Sequence, residues 1–145
     1  MNLNWAFIVE SLPLYKKAMW LTLKLGLLGT TISLLIGLIC SIVLYLKIKG
    51  LKSIELAYIE LSRNTPLLVQ VFFLYFGLPK VGIKWSETAC AIIGLSFLGG
   101  SYMTEAFRSG LEAVSRSQIE SGLSIGLSRL QLIRYVILPQ AFSVS

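Results

Sequence analysis

The sequence predicts an all-α membrane protein: a helical bundle of three transmembrane helices, a helix–turn–helix loop on one side, and the start of a fourth transmembrane segment. Three observations predict it. Hydrophobic residues make up 55% of the 145 and charged residues only 14%, whereas soluble domains carry about 25% charged residues. The run Leu25–Leu46 holds 22 residues without a charge. As a helix rising about 1.5 Å per residue it spans roughly 33 Å, enough for a hydrocarbon core of about 30 Å. The basic residues behind the net charge of +6 stand at the edges of apolar runs, where they suit a lipid bilayer with anionic headgroups. They form no aromatic-interleaved patch, so no nucleic acid is expected as a partner.

Residues 1–18 read as an N-terminal interfacial segment, with Trp5, Phe7, Leu12, Leu14 and Tyr15 beside Lys16 and Lys17. Rings and lysines of this kind lie at headgroup level. A cleavable signal is not expected, because the first apolar run of membrane length starts late and is too long for a signal core. The membrane domain proper is assigned to 19–145. Its first crossing runs from about Met19 to Leu46, with Lys24 one turn inside, able to snorkel outward. Gly29, Ser33, Gly37 and Ser41 recur at every fourth position, with Gly26 and Thr30 on a neighbouring face. Residues four apart stack on one side of a helix, so this row predicts a packing face.

The second crossing, within Ser53–Leu78, is interrupted. Proline lacks an amide donor and restricts the residue before it, so a break is expected near Thr65-Pro66, with Asn64 or Thr65 capping the restart. Only 13 residues run from Pro66 to Leu78, too few to cross alone, so part of the polar stretch before them must belong to the crossing. Glu60 and Arg63 are spaced to pair, as are Glu105 and Arg108. The third crossing is placed at Thr88–Thr104, extending toward Phe107, and is again rich in small residues. Cys40 and Cys90 lie singly inside apolar runs without metal-ligand spacing, and read as buried apolar residues.

Orientation follows from the basic residues. With the N-terminus outside, Lys47, Lys49, Lys52, Arg63, Arg108, Arg116, Arg129 and Arg134 lie inside and five lysines outside, in keeping with the positive-inside rule. The loop after the third crossing is then cytoplasmic. Ser117 followed by Glu120, and Ser128 followed by Gln131, have capping-box spacing. Gly126 stands between them as a natural helix stop. Ile119, Leu123 and Ile125 form a candidate apolar knob that suits docking into a partner's groove. On the residues alone, an ordinary interfacial helix pair fits as well.

The same loop resembles the EAA loop of binding-protein-dependent ABC importer permeases, whose pattern is Glu-Ala-Ala, three residues, Gly, nine residues, Ile, any residue, Leu-Pro. Here Glu120-Ser121-Gly122, Gly126 and Val136-Ile137-Leu138-Pro139 stand at that spacing, with Ser121, Gly122 and Val136 as departures. Arg63-Asn64-Thr65-Pro66-Leu67-Leu68-Val69-Gln70, running on to Tyr75-Phe76-Gly77-Leu78-Pro79, resembles the second-helix signature of the polar amino acid branch, with Asn64 where glycine is usual. Ser101–Leu111 resembles that branch's exit from the third helix.

The resemblance implies a multi-pass permease domain over 19–145 in the bacterial cytoplasmic (inner) membrane, part of an ATP-driven importer for polar amino acids. Implied partners are a cytoplasmic ABC ATPase, an extracytoplasmic amino-acid-binding protein and a second permease subunit. Glu120, Ser121, Gly122, Leu123, Gly126, Leu138 and Pro139 would form the ATPase-coupling loop. Family permeases continue through two more crossings, so the chain reads as C-terminally incomplete.

A zwitterionic substrate needs partners for both charged ends in a low-dielectric passage. Glu60, Arg63, Asn64, Thr65 and Gln70, at the break, are the candidates. Helix restarts in transporters aim free amides at anionic groups. No catalytic constellation, metal site or phosphate-binding loop is present in the sequence. The chain is therefore expected to bind no cofactor, ATP and Mg being used by the partner ATPase. Two other readings remain open on sequence alone: a small membrane anchor or assembly protein, and a non-functional fragment.

Overall fold

The computed structural model describes residues 5–48 and 50–140. Met1–Asn4, Lys49 and 141–145, the last belonging to the expected fourth crossing, lie outside the described residues. All the regular structure among the described residues is helical. α1 is Trp5–Tyr45, α2 Leu51–Asn64, α3 Leu67–Phe72, α4 Glu87–Glu112, α5 Arg116–Ser124 and α6 Arg129–Leu132. α3 runs on through a wide π turn, Phe73–Gly77, and a tight turn, Leu78–Val81; α6 runs on through another π turn, Ile133–Ile137.

α1 differs from expectation. The lead-in and the first crossing are one helix of 41 residues, with Pro13 inside it. At about 1.5 Å per residue it is roughly 60 Å long, twice a hydrocarbon core, so a single helix serves both the crossing and an extension beyond it. α1 and α4 are both long and apolar enough to cross a membrane, yet only 28% and 33% of their most apolar stretches are buried in the protein. The core helix of a soluble domain would be mostly buried. Here Leu27, Leu35 and Ile39 face outward, which suits a lipid surround.

The packing row on α1 is realised against α4. A Cβ added at Gly29 would lie 3.2 Å from Leu95 Cβ, and one at Gly37 would lie 2.8 Å from the carbonyl carbon of Met103 and 2.9 Å from the Thr104 nitrogen. Ser33 Oγ fills the space over Gly99 and donates to the Gly29 carbonyl at 2.7 Å, turning its hydroxyl back into its own helix. Thr104 does the same toward Gly100 at 2.7 Å. Small residues thus bring two backbones together while the Ser33 and Thr104 hydroxyls are satisfied within their own helices, as helices in lipid require. Gly26, by contrast, has open space where a side chain would be. Cys90 is buried, Cys40 half-buried, and both are free thiols.

α2 crosses α4 through two hydroxyls. Tyr58 Oη and Ser62 Oγ both donate to the Phe97 carbonyl, at 2.7 and 3.0 Å, and the Tyr58 and Phe97 rings meet edge-on at 4.9 Å. α4 starts at Ser86, whose Oγ accepts the Ala89 amide. It continues to Glu112, a full turn past the expected exit.

Candidate functional site

Two features of the bundle carry candidate chemistry: the break in the second crossing and the hairpin after α4.

At the break, Thr65 is extended (φ −108°, ψ 120°) and Pro66 (φ −55°, ψ 140°) occupies the capping position itself. The expected cap by an Asn64 or Thr65 side chain is not made. The Val69 and Gln70 amides return to the Pro66 carbonyl, and the Gln70 side chain closes the gap from the other side. Its Nε2 donates to the carbonyls of Ser62 and Thr65 at 2.9 and 2.8 Å. These carbonyls belong to the end of α2, where helix geometry leaves acceptors without partners. Gln70 is a clamp across the break, and its Oε1 is buried with no hydrogen-bond partner.

The charged residues pair differently from their sequence spacing. Arg63 reaches across to Glu105 on α4 at 3.5 Å and lies over the Tyr102 ring, 5.2 Å from its centroid. Arg108 turns to Glu112 at 3.9 Å. Neither the Glu60–Arg63 nor the Glu105–Arg108 pair forms, because α4 places Glu105 opposite Arg63 and the i,i+4 partner satisfies Arg108. The five residues proposed for a substrate path are also divided between two grooves. Glu60, Arg63 and Asn64 line an open groove of about 530 Å³ with Leu56 and Ile59. Thr65 and Gln70 line an apolar groove of about 450 Å³ between α2, α3 and α4. Glu105 and Tyr102 are the additions that only the helix packing shows.

The hairpin is built from local rules. α5 begins after Ser115, not Ser117, so Ser117 lies inside the first turn and the box with Glu120 is absent; its Oγ meets Ser115 Oγ at 3.2 Å. The helix ends as expected at Gly126, with φ 86°. The Leu127 amide bonds the Gly122 carbonyl at 3.1 Å and the Gly126 amide bonds that of Leu123 at 3.0 Å, the paired closing bonds of a Schellman motif. Two residues on, Ser128 and Gln131 form the second expected box, at 3.3 and 2.9 Å.

Gly122, a departure from the family pattern, is buried against the second arm of the hairpin. A Cβ there would run into Leu132 Cδ1, and Leu132 belongs to the buried cluster of Leu111, Val114, Ile133 and Ile137. That cluster seats the hairpin on the end of α4, with Ile119, Tyr45 and Leu138 packed around it. Ile119 therefore points inward and is not part of the exposed knob. Leu123, Ile125 and Leu130 are 46%, 79% and 74% exposed, and Glu120, Ser121 and Pro139 are also exposed. A hairpin closed by its own backbone bonds, with a packed base and an apolar tip, stands on the bundle.

The sequence profile of the family described as binding-protein-dependent transport system inner membrane component matches residues 34–145. This chain belongs to that family. It is 36% identical over 150 residues to the probable amino-acid ABC transporter permease protein PatM of Vibrio harveyi, covering 100% of this chain and 66% of the relative. It is 33% identical to the glutamine transport system permease protein GlnP of Escherichia coli strain K12, covering 97% and 65%. A crystal structure of an amino acid ABC transporter with histidines superposes with a TM-score of 0.84 at 34% identity, covering 98% of this chain and 66% of the other. The chain spans just under two thirds of the length of these relatives. The matched region contains the break, α4 and the hairpin. Inner-membrane residence follows from the family.

Proposed function

We propose that the chain acts as a membrane-spanning permease subunit of an ATP-driven importer for polar amino acids, with its N-terminus outside. The observation that carries this reading is the hairpin: pinned to α4 by the Leu132 cluster, it presents Leu123, Ile125 and Leu130 to the surroundings. A rigid, apolar-tipped projection fits a groove on a cytoplasmic ATPase, and a pinned base passes movement of that ATPase directly to α4. ATP hydrolysis with Mg belongs to that partner, and this chain rocks as a rigid body between outward and inward access. An extracytoplasmic amino-acid-binding protein delivers substrate, and a second permease subunit completes the path. The amino-acid and glutamine permeases among the relatives support polar amino acids as the substrate class.

In this reading the coupling loop comprises Glu120, Ser121, Gly122, Leu123, Gly126, Leu138 and Pro139. Substrate meets Glu60, Arg63 and Asn64 in the open groove beside the break, with Thr65 and Gln70 lining the path on the apolar side of the same break. Arg63 and Glu105, partly exposed and 3.5 Å apart, offer opposite charges to the two ends of a zwitterion, which would enter by opening the pair. Such a half-exposed pair holds by only about 0.2–1 kcal/mol, so exchange for substrate is inexpensive.

The test is uptake of labelled glutamine by cells or proteoliposomes containing the chain with its ATPase and binding protein, together with ATPase co-purification. Gly126→Pro, which removes the amide that closes on Leu123, should abolish both. Retention of both would remove the coupling assignment.

A further inference from the structure

The end of α1 and the base of the hairpin enclose a groove of about 540 Å³, whose lining includes Tyr45, Lys47, Leu123, Arg129, Ile133 and Ile137. The floor is apolar, formed by Ile133 and Ile137 of the buried cluster. The rim carries two cations, and neither Lys47 nor Arg129 makes an ion pair among the described residues. Glu112, at the end of α4, is taken by Arg108. The groove lies where the charge-free run of α1 stops, at the boundary between hydrocarbon and headgroups if α1 spans the bilayer.

Lys47 adds a second observation. α1 closes with the Lys47 amide on the Leu44 carbonyl at 3.1 Å and the Ile48 amide on Val43 at 3.4 Å. This closure puts Lys47 in the left-handed region, φ 52°, the single non-glycine residue there among those described. Glycine would occupy that position without steric cost, whereas a lysine there gives up stability. A side chain kept at a strained position points to a use for the side chain.

We infer that this groove holds one anionic phospholipid, its phosphate between Lys47 and Arg129 and the start of an acyl chain on the Ile133–Ile137 floor. Basic pockets at helix ends recognise such headgroups because charge attraction and apolar contact act at the same depth. The inference rests on α1 spanning the bilayer, and it is independent of the substrate carried. It gives the hairpin a lipid wedge between the crossing helix and the coupling loop.

The experiment places the purified chain in nanodiscs of phosphatidylcholine doped with phosphatidylglycerol and counts retained lipids by native mass spectrometry. Wild type should retain phosphatidylglycerol over phosphatidylcholine by roughly 30-fold, the effect of two basic side chains at a charged headgroup. Lys47→Gln with Arg129→Gln should lose the preference. Lys47→Gly should lose most of it while raising the thermal midpoint, opposite signs that a purely structural role would not produce. An unchanged preference in the double variant would overturn the inference, as would an equal loss in Arg116→Gln, a charge-matched change off the groove. Displacement of the lipid by inorganic phosphate would show an anion site without an acyl seat, and would also overturn it. Recovery of the chain as a stable monomer without lipid or detergent would remove the membrane reading itself, a separate result from lipid indifference inside the disc.

Discussion

Gln70 offers the sharpest perturbation, because two roles for it predict opposite results. Its Nε2 donates to the Ser62 and Thr65 carbonyls at 2.9 and 2.8 Å, in a groove lined mainly by apolar side chains such as Leu61, Val69 and Phe73. Gln70→Ala leaves both carbonyls without that donor where water is scarce. An unsatisfied buried acceptor costs about 1–3 kcal/mol, so the loss is about 2–6 kcal/mol before relaxation. With the conversion that holds for soluble domains near this size, that lowers the thermal midpoint by on the order of 5–15 °C. Gln70→Glu keeps the volume but brings acceptor oxygens toward two acceptors, and should be at least as harmful. Both variants are read by intrinsic fluorescence melting in detergent, beside uptake kinetics. If Gln70 served only to receive a substrate ammonium group, Gln70→Glu would melt like wild type and bind substrate more tightly. That outcome would refute the clamp. Unchanged uptake affinity in Gln70→Ala and Thr65→Ala would instead remove both residues from the substrate path.

Two other expectations follow from the packing. Gly37→Leu should force α1 from α4, since even a Cβ meets the Met103 and Thr104 backbone; overpacking of this kind costs about 1–3 kcal/mol or more. Gly26→Leu should be tolerated, because its Cβ meets nothing, and equal melting of the two variants would refute the interface. A double-mutant cycle on Arg63→Ala and Glu105→Ala should give a coupling of about 0.2–1 kcal/mol, as for half-exposed pairs; no coupling would show that the side chains act separately.

Much of this architecture was legible one turn at a time. The break at Pro66 follows from a missing amide, the stop at Gly126 from its permitted φ, and the Ser128–Gln131 box from a three-residue spacing. The row from Gly29 to Ser41 announced a packing face from its period alone. Misreadings arose where two local solutions compete. Ser115 and Ser117 both precede the same helix, and the chain starts it at the earlier one. Residues 5–18 keep their interfacial composition, but they continue α1 where a separate lead-in was expected, because extending a formed helix adds one backbone bond per residue and Pro13 interrupts only locally.

What the sequence determined by itself, then, is the solvent and the punctuation: charge-free length, helix stops and caps depend on atoms within a few residues of each other. Only the tertiary structure decided the partners. Arg63 meets Glu105 across 42 positions of chain, Gln70 reaches back to α2, and Gly122 makes room for Leu132. Such contacts depend on the rotation and height of one helix against another. Those are set by the summed packing of many side chains, and no short window of sequence contains them.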